Sequence, residues 1–196
     1  MILPIVAYGN PVLKKKCDNI KSNYENLDEL IDNMWETMYA ASGVGLAAPQ
    51  IGLSIRIFIV DASPFSKDES LSLEERQNLS KFKKVFINPV IKAITNDLNI
   101  FNEGCLSIPD IREDVLRENE INIEYYDQSF QKQNLILKGL RARVVQHEYD
   151  HIEGILFTDK LSSLKKRIIK KKLENISKGK IRADYRMRFP NLKKGK

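Results

Sequence analysis

The only two histidines of this 196-residue chain stand four positions apart, in Gln146-His147-Glu148-Tyr149-Asp150-His151. On an α-helix, residues i and i+4 lie one turn apart on the same face, so both imidazoles can reach one metal ion with Glu148 beside them, the HExxH arrangement. At 100° per residue, Leu140, Val144, His147 and His151 fall within a sector of about 60°, while Glu148 lies about 80° from Leu140. The histidines therefore share the apolar, inward side of a helix that begins after Gly139 and closes at Gly154. Two imidazoles facing a core need partners, and a buried metal uses both.

A tetrahedral site that keeps a fourth position for water needs one further protein ligand. Cys105 is the best candidate, because it lies on its own turn in Glu103-Gly104-Cys105-Leu106-Ser107-Ile108-Pro109, whereas Cys17 has no comparable context. A mixed sulfur and nitrogen set suits zinc or ferrous iron. Such a metal lowers the pKa of a bound water towards neutrality, and Glu148, beside the ligands but not one of them, is placed to take a proton. The predicted chemistry is hydrolysis of a carbonyl compound. A second stretch, residues 43–52 (GVGLAAPQIG), is small and apolar with a single amide tip, Gln50. Its glycines let backbone approach a ligand closely, and Gln50 is its one side chain able to hydrogen-bond there.

With 42% hydrophobic residues the chain is long enough for one sizeable core and short for two domains. Leu27, Leu30, Ile31, Met34 and Met38 share one face of a predicted helix. Capping boxes at Ser22/Glu25 and Asn26/Glu29 would start it, and Ser42-Gly43 would end it. Strands are expected at 55–60, at 85–94 with a break at Asn88-Pro89, and at 98–101; 121–126 and 135–137 form a hairpin. Residues 61–84 read as a polar surface excursion with a short helix at 72–81 and no assigned chemistry.

The net charge of +6 is unevenly spread. Residues 160–196 hold 15 lysines and arginines against Glu174 and Asp184, a balance of +13, and residues 1–159 carry −7. Leu161, Leu164, Ile168, Ile169, Leu173 and Ile176 recur at near-helical spacing among these charges, which predicts a basic amphipathic helix, stopped at Gly179, with a basic tail. Its apolar stripe should pack on the body, and its charge would attract a polyanion, with nucleic acid and anionic membrane as the physical candidates and the ribosome as the expected partner. No run approaches membrane-spanning length, and the N-terminal residues lack a signal-peptide pattern. With two cysteines kept reduced as potential ligands, a cytoplasmic location is expected.

Three stretches taken together, GVGLAAPQIG at 43–52, EGCLSIP at 103–109 and QHEYDHIEG at 146–154, resemble the signature segments of peptide deformylase, in that family's order and at compatible spacing. The resemblance spans most of residues 1–160, and the combination is far more specific than HExxH alone. It implies removal of the formyl group from the N-terminal methionine of nascent polypeptides. It also implies an α+β fold with antiparallel sheets around a central HExxH-bearing helix: a catalytic domain over residues 1–160, followed by the basic helix and tail of 161–196. By the same resemblance, Cys105, His147 and His151 bind a divalent metal, commonly Fe2+, with Zn2+, Ni2+ or Co2+ also accepted. Glu148 is general base and then acid, and Gln50 with the Leu106 backbone N–H stabilises the oxyanion. Gly45 meets the substrate backbone; Val44, Phe101, Leu140 and Val144 line the methionine pocket; and Glu103 pairs with Arg117 to brace the cysteine loop. In related bacterial enzymes a C-terminal helix helps ribosome docking.

Two other functions compete. A zinc metalloprotease normally takes its third ligand downstream of HExxH, where this chain has no further histidine, and Glu153 is too close on the same helix. A noncatalytic ribosome- or RNA-binding protein would use the basic tail, but has no need of the full set of ligands, base and Gln50.

Overall fold

A computed structural model of the chain describes residues 1–95 and 97–190, with the side chain of Ile94 left out; residues 191–196, the end of the expected basic tail, lie outside the described set. The chain folds as α+β, with antiparallel sheets and one short parallel pair of strands. After β1 (Ile5–Val6), helix α1 runs over Leu27–Ala40, followed by β2 (Gly45–Ala47) and β3 (Ile57–Asp61). Helix α2 (Leu73–Ser80) precedes β4 (Lys83–Ile94), β5 (Leu98–Cys105), β6 (Ile108–Glu118), β7 (Glu120–Tyr126) and β8 (Lys132–Lys138). Helices α3 (Gly139–Ile152) and α4 (Ser163–Ser177) and the short β9 (Met187–Arg188) complete the chain.

The main sheet has the order β2-β3-β4-β7-β8, all antiparallel. Its strand β3 reads Ile-Phe-Ile-Val-Asp and is buried throughout, because the sheet is covered on both faces. Ile57 and Ile59 join Ile31, Met34 and Met38 of α1 in one core, while Phe58 and Val60 join Phe86, Ile123, Val144 and Val145 in another. Period-2 alternation thus feeds two layers from one strand. Helix α3 packs on the second face, which brings HExxH against the sheet. Strands β5 and β6 form a separate two-stranded hairpin. Its inward residues Ile108, Ile111 and Val115 meet Phe157 and the buried Ile169, Leu173 and Ile176 of α4 in a third core.

Several local expectations change. Helix α1 starts at Leu27, but Asn26 takes a left-handed conformation, φ 54°, with no side-chain cap, so neither capping box forms. The stretch at 43–52 is not all loop, since residues 45–47 pair with β3, and 108–118, read as part of no strand, is the long β6. On α4, Leu164 and Ile168 are 65% and 67% exposed; the buried stripe comprises Ile169, Leu173 and Ile176, with Leu161 buried just before the helix. The excursion contains α2, capped by Ser72, whose hydroxyl accepts from the Glu75 N–H at 3.1 Å.

Burying an aliphatic side chain contributes about 1.5–3 kcal/mol, and its loss adds the cost of a cavity. Ile176→Ala should therefore lower unfolding stability by about 2–5 kcal/mol in urea titration, whereas Leu164→Ala should change it by less than about 0.5 kcal/mol.

Candidate active site

The site lies where α3 faces the β5–β6 hairpin and the β2 edge. Cys105 ends β5, and His147, Glu148 and His151 lie on α3. The thiol sulfur and one nitrogen from each imidazole all lie within 4.8 Å of one another, with Cys105 Sγ 3.2 Å from His151 Nε2. These are soft and borderline donors converging on one point, which is what a tetrahedral divalent metal requires of three protein ligands. His147 Nδ1 lies 2.8 Å from Glu103 Oε2. Facing a carboxylate, Nδ1 donates its proton to that contact, which turns Nε2 towards the cluster.

Glu103 is the hub behind these donor side chains. Arg117 of β6 donates to it twice, from Nε at 2.7 Å and Nη2 at 2.9 Å, and Arg143 of α3 donates from Nη1 at 3.0 Å. Arg117 also donates to Asp150 at 2.5 Å, which ties β6 to α3. Burial alone would raise the Glu103 pKa, but the hydrogen bonds from Arg117 and His147 outweigh it and hold the carboxylate well below its ordinary range. Opposite pressures act on the histidines. Burial works against a charged His147, yet its bonds to Cys105 and Glu103 raise it to about 10, while burial, aided by the His147 charge, drives His151 well below 6.5. Cys105 and Glu103 thus favour positive charge at His147, and a divalent cation fits that environment.

Glu148 is buried and its Oε2 has no hydrogen-bond partner among the described residues. Burial pushes its pKa up to about 7. A glycine at position 45 is what admits this carboxyl group: a Cβ there would stand 2.7 Å from Glu148 Cδ, inside any ordinary contact. Gln50 is 1% exposed. Its Oε1 accepts from the Ala47 N–H at 2.8 Å, which turns Nε2 towards Cys105 Sγ at 3.5 Å and Ser107 Oγ at 3.4 Å.

A cavity of about 480 Å3 opens over this floor, lined by residues that include Val44, Gly45, Gln50, Phe101, Leu106 and Val144. Leu140 does not line it. It sits seven residues before His147, about 10 Å along the helix axis, and packs instead on the core behind Val144. Phe65, from the excursion given no chemistry, does line the cavity and meets Phe101 edge-on at 6.4 Å. Arg143 and Asp150 went unassigned as well, although the helical wheel places them about 60° and 80° from Leu140 on the side opposite Glu148. No sequence signal pointed to Phe65, because its contact is made by a chain excursion.

The chain matches the family model described as Polypeptide deformylase over residues 2–167. It belongs to the peptide deformylase family. It is 61% identical over 196 residues to a peptide deformylase of Christiangramia forsetii, covering the whole of both chains. It is 60% identical over 189 residues to one of Flavobacterium psychrophilum, covering 96% of this chain and 97% of that one. The solved peptide deformylase of Thermus thermophilus shares the fold at TM-score 0.78 and 36% identity, over 91% of this chain and 99% of that one. The chain is thus a metal-dependent hydrolase of protein biosynthesis that removes the formyl group from N-terminal methionine of nascent chains. The metalloprotease and noncatalytic alternatives fall away. Among the described residues, no helix is long and apolar enough to cross a membrane.

Because Gly45 makes room for Glu148, Gly45→Ala should displace the carboxyl group. Formate release from a formyl-Met peptide should fall about 100-fold with metal stoichiometry unchanged, as steady-state kinetics and metal analysis would show.

Proposed function

We propose that deformylation takes place on the floor of the 480 Å3 cavity, with Cys105, His147 and His151 holding the metal and Glu148 moving the protons. The observation that carries this reading is the convergence of three metal-donor atoms and a buried carboxylate with an unpartnered oxygen on one spot. When bound, a divalent ion supplies Lewis-acid polarisation of the formyl oxygen and acidifies water. Glu148 takes a proton from the attacking water and returns it to the departing amine nitrogen, so that formate and a free N-terminus leave. Gln50 Nε2 and the Leu106 N–H receive the charge that grows on the formyl oxygen. Gly45 offers backbone to the substrate, and Val44, Phe101 and Val144 surround the methionine side chain, with Leu140 supporting them from behind. The thiolate and imidazole donors suit Fe2+, and also Zn2+, Ni2+ or Co2+.

The HExxH helix α3 is then the organising element of the domain, with the sheets packed around it. Residues 1–160 carry the catalytic machinery. Residues 161–196 add the basic helix and tail, whose buried Ile169, Leu173 and Ile176 support their inclusion in the same folding unit. The exposed face of α4, with Arg167, Lys170 and Lys171 around Leu164 and Ile168, suits ribosomal RNA in the cytoplasm, where nascent formylated chains emerge.

The decisive assay combines metal content with formate release from a formyl-Met peptide, under anaerobic conditions with iron, because a thiolate ligand such as Cys105 is open to oxidation. The parent should bind one ion and release formate, and Glu148→Ala should keep the ion while losing about 100- to 10,000-fold in rate. A parent that binds metal but releases no formate sinks the assignment. For the docking face, joint replacement of Arg167, Lys170 and Lys171 by glutamate should abolish co-sedimentation with ribosomes at low salt and leave formate release intact. Retained co-sedimentation would remove α4 from the interaction.

A further inference from the structure

The turn that carries Leu106 is held from outside. Cys105 pairs with Ile108, so Leu106 and Ser107 form a two-residue hairpin loop. Loops of that length favour primed turns, which need a positive φ at one or both central residues and whose twist matches the strands. Neither Leu106 nor Ser107 has one. The ladder is also interrupted here, with a register shift between Gly104 and Cys105 and a left-handed Asp110 at φ 61°. The local backbone therefore lacks the geometry that usually stabilises such a turn.

Three groups from elsewhere in the chain supply what the turn lacks. The Tyr185 hydroxyl donates to Leu106 O at 2.8 Å, the Tyr8 N–H donates to Ser107 O at 2.9 Å, and Gln50 Nε2 reaches Ser107 Oγ. Tyr185 sits on an extended strap in which Ile181, Ala183, Tyr185, Met187 and Phe189 are partly buried while Arg182, Asp184, Arg186 and Arg188 are exposed. The strap is fixed where β9 pairs with β1: Ile5 N–H donates to Arg186 O at 2.8 Å, and Ala7 N–H to Arg188 O at 3.0 Å. All of it lies beyond residues 2–167, the part matched by the family model.

We propose that Tyr185 is a positioning residue for the reaction: its hydroxyl fixes the central peptide of the Leu106-Ser107 turn and thereby aims the Leu106 N–H at the growing oxyanion. The carbonyl it holds is the one that reverses direction when a turn flips between types I and II. A pinned carbonyl restricts the Leu106 backbone on one side, while Cys105, paired to Ile108, restricts it on the other. The C-terminal strap is in this way part of the active site's framework, and the inference rests on Leu106 being an oxyanion donor.

The test compares the full-length parent, Tyr185→Phe, Gln50→Ala and the exposed control Arg182→Gln. Tyr185→Phe keeps the ring and removes one hydroxyl, so kcat for a formyl-Met peptide should fall about tenfold with KM within twofold. Metal content and melting temperature should match the parent. In the zinc-loaded protein, the amide 1H–15N signals of Leu106 and Ser107 should shift or broaden in Tyr185→Phe and remain in place in Arg182→Gln. An unchanged kcat, unmoved amide signals, or a loss of rate that tracks loss of metal or of melting temperature overturns the proposal. Gln50→Ala separates the two claims. If it loses kcat while Tyr185→Phe does not, only the positioning role fails; if it also keeps kcat, the oxyanion reading falls and the inference with it.

Discussion

The Glu103 carboxylate is the interaction on which the site depends. It receives a two-pronged Arg117, a single Arg143 bond and the His147 Nδ1–H, joining β5, β6 and α3 at one buried point. Glu103 and Asp150 are paired with Arg117 and Arg143, and Lys160 reaches Asp150 at 3.3 Å from the rim, so each of the two buried carboxylates has a cation beside it. Such a group is conditional in its effect: complete, it roughly offsets its own desolvation, but with one partner removed an uncompensated buried charge costs about 3–5 kcal/mol. Cys105 is two residues from Glu103 on the inward side of β5, and His147 touches it directly. The cluster therefore sets the separation of the metal donors as well as holding the hairpin to the helix.

The main sheet sets the opposite wall. Its strand β3 is buried on both faces, one face against α1 and the other against α3, so the β2 edge cannot move without disturbing two cores. That rigidity matters at Gly45, where the backbone of β2 comes so close to Glu148 that no side chain fits between them. The next residues wind into a short helical turn, where the Ala47 N–H orients the Gln50 amide. Glu148 and Gln50 thus approach Cys105, His147 and His151 from elements locked by packing, which is the preorganisation that the roles proposed for both side chains require.

Elements with a strong local period were legible. The apolar face of α1, the inward histidines of α3 and the strand around Ile123 follow from spacing, and the strands around Phe58 and Phe86 from their β-branched and aromatic content. Strand β6 was not, because Arg112, Glu113, Asp114 and Arg117 make it look like surface; Arg117 is buried there only because Glu103 and Asp150 meet it. The strap at 181–189 does alternate with period 2, yet its arginines read as a basic tail, and a strand so short is visible only once β1 lies beside it. Leu164 and Ile168 show the converse error. They share a periodicity with Ile169 and Leu173, but the hairpin beneath α4 covers only part of that face.

By itself the sequence determined the chemistry of the donors: two imidazoles one turn apart facing inward, a carboxylate beside them, a thiol on a glycine turn and an amide in a glycine-rich stretch. These are local facts, since the geometry of i and i+4 on a helix needs no partner. Only the tertiary structure decided that Arg143, forty residues from Glu103, would join Arg117 on its carboxylate, that Arg117 would also reach Asp150, that Phe65 would line the cavity, and that Tyr185, seventy-nine residues from Leu106, would hold its carbonyl. Contacts at such separations leave no local signature, because the chain must first fold back on itself before the two groups can meet.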